Sequence, residues 1–329
     1  MKKLIFSFLC LFMALDTSAQ GVFGRAIGET VPLEVETMYK KGVGYLVKNQ
    51  QPNGSWGSDH YSREPGVVGL AVLALLAHGE DPNFGPYAKT VKKAVSYILK
   101  QQNQSTGMIG SSMYNHGFAT LALAETYGTL DDPKLGPALE KAVKLLLSSQ
   151  ARNAQNSWRY SPSGNDGDTT AAGACMVALY AARNAGVGVP QSALEKGLDY
   201  YKRCQSSDGG FGYTSPGSSN VPRSAIGTLV FALGRKKNSK VWKNALKYLK
   251  TSGYTSSNYF YYNIYYMPQA LFQSDIEQWR KWNKLNIKTL KVKQTSSGAW
   301  SGSHGAVFST SMSLLSLALN YRFLPIYER

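Results

Sequence analysis

The sequence predicts an all-α fold in which six helical hairpins close into an α6/α6 toroid. Three observations carry this expectation. A unit of about 50 residues recurs six times, marked by helix-ending glutamines at Gln50, Gln102, Gln150, Gln205 and Gln294, with Gly253 in the missing place. Each unit pairs a polar, lysine-rich helix with a second helix rich in Ala, Leu and Gly. Between them lies a Gly/Ser/Asn loop that holds an aromatic residue.

Taken in order, repeat 1 sets Tyr39, Val43, Leu46 and Val47 at helical spacing among Lys40, Lys41 and Lys48. That is one apolar stripe on a solvated helix. The helix stops at Gln50, turns through Pro52-Asn53-Gly54 and reaches Trp56. The second helices begin at Val67 (VVGLAVLALLAHG), Gly117 (GFATLALAETYG), Thr169 (TTAAGACMVALYAA), Arg223 (RSAIGTLVFALG), Tyr265 (YYMPQALFQ) and Ser309 (STSMSLLSLALN). They are apolar around most of the cylinder, which requires burial on several sides. One helix of each hairpin is therefore inside and its predecessor outside. An open solenoid needs polar capping repeats, and none is evident. Repeat 5 is expected to be the least regular.

Residues 1–19 read as a signal peptide, 20–33 as a lead-in and 34–329 as the toroid. Lys2 and Lys3 precede the apolar run Leu4–Leu15, and Thr17–Ala19 offers small residues for cleavage. The run is shorter than the roughly 20 residues of a membrane span. A secreted or periplasmic protein without a transmembrane segment is the expectation.

The chain of 329 residues carries +16; the leader holds two lysines and one aspartate, so +15 remains. That surplus favours anionic partners. It concentrates in Arg235–Lys250, with seven basic residues and no acid, and in Arg280–Lys293, with six and no acid. Both fall on outer helices, of repeats 5 and 6, and are read either as a solvated face or as a dock for an anionic lipid or polysaccharide. Aromatic interleaving is too thin there to suggest nucleic acid. Beyond the leader only Cys175 and Cys204 remain, which excludes a disulfide scaffold and a CxxC metal site. A bridge between these two is left open.

The stretch KGVGYLVKNQQPNGSW resembles the QW motif of the squalene/terpenoid cyclase and prenyltransferase superfamily. Its matching residues are Lys41-Gly42, Tyr45-Leu46, Gln50, Gly54 and Trp56. Partial copies keep Gln150 and Trp158; Lys196-Gly197, Tyr200, Gln205, Gly209 and Phe211; and Leu290, Gln294, Gly298 and Trp300. The resemblance spans the chain beyond the leader. It implies a clasp in which the glutamine reaches the next repeat and the aromatic residue stacks on it. Direct ligand contact is the alternative for the three tryptophans.

The resemblance also places chemistry at the toroid mouth, where loops enter the inner helices. Cyclases of this kind carry Asp-x-Asp-Asp, whose middle carboxylic acid protonates an alkene. Asp166-Gly167-Asp168 matches its first three positions, but Thr169 replaces the last acid. Asp168 also suits a helix N-cap. The DxC zinc motif of protein prenyltransferases is absent, so that activity is not expected.

Asp168, Asp166 and His116 are the catalytic candidates. Asp59, His60, Tyr61, Tyr114, Tyr160, Tyr213, Arg223, Tyr262, Tyr266 and His304 are the ligand-binding candidates, with Arg159 in the same loops. His60 precedes Leu75 by fifteen residues, and His304 precedes Leu319 by the same number. Ring closure would set them side by side with His116 in the next repeat. A zinc site, an acid/base site and plain loop polarity are the three readings of that trio; no cofactor is required by the sequence. The segment Asn258–Pro268 holds five tyrosines and one phenylalanine, either as space-filling or as an aromatic wall.

The function expected is binding of an elongated apolar or glycan ligand at the mouth. The alternatives are terpene cyclase/mutase or lyase-like chemistry through Asp168 and the histidines, and a non-catalytic scaffold.

Overall fold

The computed structural model describes residues 30–57, 61–253, 259–324 and 326. The predicted leader lies outside these residues, as do Asp59 and His60. From Val31 onward the chain is one compact unit.

Its regular structure is helical. The outer helices are α1 (Leu33–Asn49), α3 (Ala88–Lys100), α5 (Leu135–Arg152), α7 (Gln191–Cys204), α9 (Lys240–Thr251) and α11 (Ile276–Lys293). The inner ones are α2 (Pro65–Leu76), α4 (Met113–Thr126), α6 (Thr169–Asn184), α8 (Val221–Leu233), α10 (Phe260–Ser274) and α12 (Gly305–Ala318). A 3-10 turn, Tyr61–Arg63, precedes α2. Each inner helix packs on the next, and α12 returns to α2 and α1. The ring is closed, as the sequence predicts.

Burial follows the composition of each helix. Every residue of α2 is buried. On α3 the buried stripe is Ala88, Thr90, Val91, Ala94, Val95 and Ile98, while Lys89 and Lys92 remain outside. The inner helices start at one end of the ring. Ser112, Asp168 and Asn220 cap α4, α6 and α8 with side-chain oxygens, as short polar residues do at orphan N–H groups. Pro268 sits inside α10, the irregular inner helix.

The glutamines join the outer helices. Gln50 Nε2 donates to Gly54 O at 3.1 Å in its own loop and to Thr90 O of α3 at 2.9 Å. Gln102 reaches Ala138 O of α5 at 2.8 Å, and Gln150 reaches Ala193 O of α7 at 2.9 Å. Gln205 reaches Val241 O of α9 at 2.8 Å, and Gln294 closes the ring on Met38 O of α1 at 2.9 Å. The indoles of Trp56, Trp158 and Trp300 are buried, and each donates to a carbonyl of the preceding outer helix: Leu46, Leu146 and Leu290. Phe211 occupies the corresponding buried place in repeat 4. The loop glycine is fixed by contact as well as by conformation. Gly54 has φ +95°, and a Cβ there would meet Lys93 O at 2.1 Å; at Gly298, with φ +90°, it would meet Lys41 O at 2.4 Å. Only glycine tolerates that backbone approach.

The joint from α9 to α11 lacks a glutamine. There Lys250 Nζ meets Asp275 Oδ2 at 2.7 Å, from the end of α9 to the N-cap of α11. An ion pair thus stands where five other joints have an amide. Cys175 and Cys204 are both free and buried.

Candidate functional site

The described parts of the loops that lead into the inner helices, and the first turns of those helices, carry the candidate residues. Arg159 is the centre of one cluster. Its guanidinium lies 5.3 Å from the ring centroids of both Tyr160 and Tyr213. Nη1 pairs with Asp166 Oδ2 at 2.8 Å, and Nε stands 3.7 Å from Asp168 Oδ2. The Tyr160 and Tyr213 hydroxyls are hydrogen-bonded to each other. Arg223 covers the Tyr213 ring from further along, 5.7 Å from its centroid. Tyr114 lies 5.9 Å from Tyr160 and donates its hydroxyl to Thr170 Oγ1.

Asp168 sits beneath this cluster and is wholly buried. Its Oδ1 accepts from Thr170 N at 2.8 Å, Ala171 N at 2.7 Å and Thr170 Oγ1 at 2.5 Å. Its Oδ2 is buried without a hydrogen bond. Burial raises the Asp168 pKa above the ordinary carboxylate value, and the cap bonds and Arg159 work in the opposite direction. The Asp-Gly-Asp pair is therefore asymmetric: Asp166 is exposed and paired, whereas Asp168 is desolvated and structural at one oxygen. Thr169, where a further acid was lacking, is buried and donates to Gly212 O at 2.8 Å.

A second cluster faces the first. His304 has ring contacts with Tyr61 at 5.1 Å, Phe308 at 5.2 Å and Tyr262 at 6.3 Å. Its Nδ1 lies 3.1 Å from Ser303 Oγ. The two clusters share one electrostatic neighbourhood. Burial lifts the Tyr114 hydroxyl well above its ordinary pKa, with Tyr262, Asp168 and Tyr266 adding to the shift. Tyr61 and Tyr160 are about half exposed and form the rim. Tyr266 is buried deeper, and its hydroxyl has no hydrogen-bond partner among the described residues.

Below this level two rings meet across the lumen. Phe118 of α4 and Tyr265 of α10, from opposite sides of the ring, meet with ring centroids 5.9 Å apart. Above it, tyrosine rings gather around Arg159. An open groove of about 880 Å³ lies beside Arg63, Tyr97, Arg152 and Ser163.

Of the histidine trio, His116 is placed away from the mouth chemistry. His116 is fully buried with both ring nitrogens engaged. Nδ1 accepts from Ile109 N at 3.1 Å, and Nε2 lies 3.0 Å from Ala142 O of α5. Burial pushes its pKa down to about 4, so the ring is neutral near pH 7. It ties a loop to the next outer helix and has no nitrogen left for a metal or a substrate. His304 is separately engaged with rings, and His60 and Asp59 lie outside the described residues. Among the described residues no group of three His, Cys, Asp or Glu could hold a metal ion. The equal fifteen-residue offset relates His60 to His304; on the described side of that pair, Tyr61 stands 5.1 Å from the His304 ring. Thr170, Phe308 and Phe118 are the site residues that spacing did not single out. Phe118 stands in the apolar inner helix, where nothing in the sequence marks the lumen face.

A family model described as "Domain of unknown function (DUF6288)" matches residues 36–259. No curated protein matches the chain. Among solved structures, an inactive variant of the α-1,6-mannanase GH76A of Salegentibacter sp. HEL1_6, in complex with α-1,6-mannotriose, is similar. It is 12% identical with a TM-score of 0.68, covering 87% of this chain and 99% of that one. The type II terpene cyclase MstE from Scytonema, without ligand, is 15% identical with a TM-score of 0.62, covering 88% and 99%. A variant of that cyclase in complex with geranylgeranyl dihydroxybenzoate is 15% identical with a TM-score of 0.59, covering 88% and 98%. At these identities the likeness establishes the α/α-toroid fold alone.

Proposed function

We propose that this chain, which belongs to the family of the domain of unknown function DUF6288, binds a carbohydrate ligand at the mouth of its toroid. The observation that carries this reading is the Phe118–Tyr265 contact across the lumen. A ring contact across the lumen opposes the deep apolar channel that an extended isoprenoid chain would fill. Above it lie tyrosine rings and hydroxyls beside two arginines. Flat rings with polar edges suit sugar faces, which present C–H groups on one side and hydroxyls around the rim. The Tyr266 hydroxyl and Asp168 Oδ2 are buried without a hydrogen bond, with Oδ2 facing Arg159 Nε at 3.7 Å, and are oxygens of the sort that ligands or water satisfy. Kinship with the terpenoid cyclase and prenyltransferase superfamily, suggested by the QW stretches, is compatible with this reading, because one toroid serves many ligands. The neighbouring mannanase was solved with a mannotriose and the neighbouring cyclase with a geranylgeranyl substrate. We read the chain as exported on the strength of Lys2, Lys3 and the apolar run after them, which agrees with an extracellular glycan.

The test is calorimetric and NMR titration with α-1,6-mannotriose, other neutral and acidic trisaccharides, and a geranylgeranyl phenol. Saturable sugar binding that falls at least tenfold, about 1.4 kcal/mol, in Tyr213→Ala is the expected result. Binding of the geranylgeranyl compound alone, or unchanged sugar affinity in Tyr213→Ala, would count against the proposal.

A second reading rests on Asp168. A desolvated carboxyl with a raised pKa and one unbonded oxygen has the character of a general acid, which would suit isomerase or lyase-like turnover. Asp168→Asn keeps an oxygen for the α6 cap and removes the proton. Loss of turnover with unchanged ligand affinity would support catalysis. Equal loss of affinity and stability would make Asp168 only a support for Arg159.

A further inference from the structure

We propose that the outward faces of α9 and α11 form a docking surface for a phospholipid bilayer rich in anionic headgroups. The inference is independent of what the mouth binds.

On α9 the buried side is Trp242, Ala245 and Leu249. Lys240, Lys243 and Lys247 are exposed opposite it. On α11 the buried side includes Trp279, Trp282, Ile287 and Leu290, with Lys281, Lys284 and Lys288 exposed. The acids nearby are already engaged. Asp275 pairs with Lys250, Glu277 with Arg280, and Glu34 with Lys291. None of the six lysines has an ion pair among the described residues. The Lys250–Asp275 contact links the two helices, so the stripes belong to neighbouring faces.

Two apolar side chains decide the class of partner. Leu285 is 53% exposed and Val292 is 87% exposed. With Lys281 and Lys288 they follow a four-three-four spacing, which puts all four on one face of α11. A soluble polyanion gains nothing from an exposed leucine and valine. A bilayer takes the ammonium groups among its phosphates and the apolar tips into the headgroup boundary. A second copy of the chain is disfavoured, because two such faces repel.

The experiment is co-sedimentation of the chain from Gln20, which omits the apolar leader run, with vesicles of phosphatidylcholine alone or mixed with phosphatidylglycerol. Binding should require phosphatidylglycerol and fall at least tenfold between low salt and about 0.5 M salt, where the screening length is only a few ångströms. Lys281→Glu with Lys284→Glu and Lys288→Glu, and separately Lys240→Glu with Lys243→Glu and Lys247→Glu, should each weaken it at least tenfold. Leu285→Ser with Val292→Ser should weaken vesicle binding at least threefold and leave retention on polygalacturonate unchanged. All these residues are exposed, and an unaltered thermal transition checks each variant. Absence of binding to phosphatidylglycerol vesicles at low salt overturns the proposal. Vesicle binding indifferent to Leu285→Ser with Val292→Ser also overturns it, and marks the face as a general polyanion surface.

Discussion

The side-chain amide of Gln294 donates to Met38 O at 2.9 Å and to Gly298 O at 2.8 Å. It ties the last outer helix to the first, across 256 residues of sequence. Five joints of the outer ring use this device; the loops after four of them bury an aromatic residue, Trp56, Trp158, Phe211 or Trp300, and the loop after Gln102 buries Ile109 instead. Each of these five joints rests on one amide that bridges a carbonyl of its own loop and a carbonyl in the early turns of the next outer helix.

Gln294→Leu should cost about 1–3 kcal/mol, because two carbonyls lose their donor. Gln294→Glu sharpens the test. An ionised carboxylate offers no donor and faces two oxygens, whereas the protonated acid restores one O–H. The Glu variant should lie closer to wild type at pH 4 than at pH 8 in urea unfolding. A loss independent of pH would show that packing, not donation, carries the joint.

The α9–α11 joint should respond to pH differently. Asp275 is held below the ordinary carboxylate pKa, first by its hydrogen bond with Lys250. A carboxyl whose folded pKa is depressed stabilises the fold above its unfolded pKa, and that stability is lost as pH falls through the folded value. The joint should thus weaken below about pH 4. Both partners are partly exposed, so the effect is small, at most about 1 kcal/mol. Lys250→Met should remove the dependence. Hydrogen exchange should find the amides of α9 and α10 opening before those of α5 and α6.

His116 predicts a larger acid effect. Its folded pKa of about 4 lies below the ordinary histidine value of 6.5, so the folded state resists protonation. By the same sign rule its stability is complete above pH 6.5 and declines as pH falls toward 4. The total is on the order of 3 kcal/mol, from the difference in pKa values. His116→Asn should flatten the stability profile between pH 6 and 4. A Cε1 signal assigned to His116 by its loss in His116→Asn and titrating near 6.5 in the folded protein would contradict the burial account.

The alternation of lysine-rich and apolar helices, and the spacing of the glutamines, were enough to place the hairpins and their closure. Both are local periodicities with one packing solution. The direction of individual mouth side chains was less legible. Asp168 was recognisable as an N-cap because Thr-Thr-Ala-Ala follows it, yet its ion pair with Arg159 depends on how the loop from Asn153 folds back. His116 stood in a loop-to-helix position like His304, but its ring turns outward to Ala142 because an inner helix has an outer side as well as a lumen side. The aromatic segment after Asn258 was marked by composition alone, and Tyr265 proved to reach across to Phe118.

That contact supports the last prediction. Phe118 and Tyr265 come from helices on opposite sides of the ring, so their rings fill space that no neighbouring helix supplies. Phe118→Ala should destabilise the protein by about 3–5 kcal/mol, from lost burial and the cavity left behind. Phe118→Leu keeps most of the volume and should cost under about 1.5 kcal/mol. The cavity in the Ala variant would open beneath the mouth and be walled by apolar side chains. Small apolar molecules stabilise such cavities by mass action. Saturating benzene or toluene should therefore raise the melting temperature of Phe118→Ala and leave wild type unchanged. The same variant should gain affinity for a geranylgeranyl phenol if the plug is what excludes long chains from the lumen. A melting temperature indifferent to benzene, together with unchanged affinity for the phenol, would mean that the rings do not close the lumen in solution.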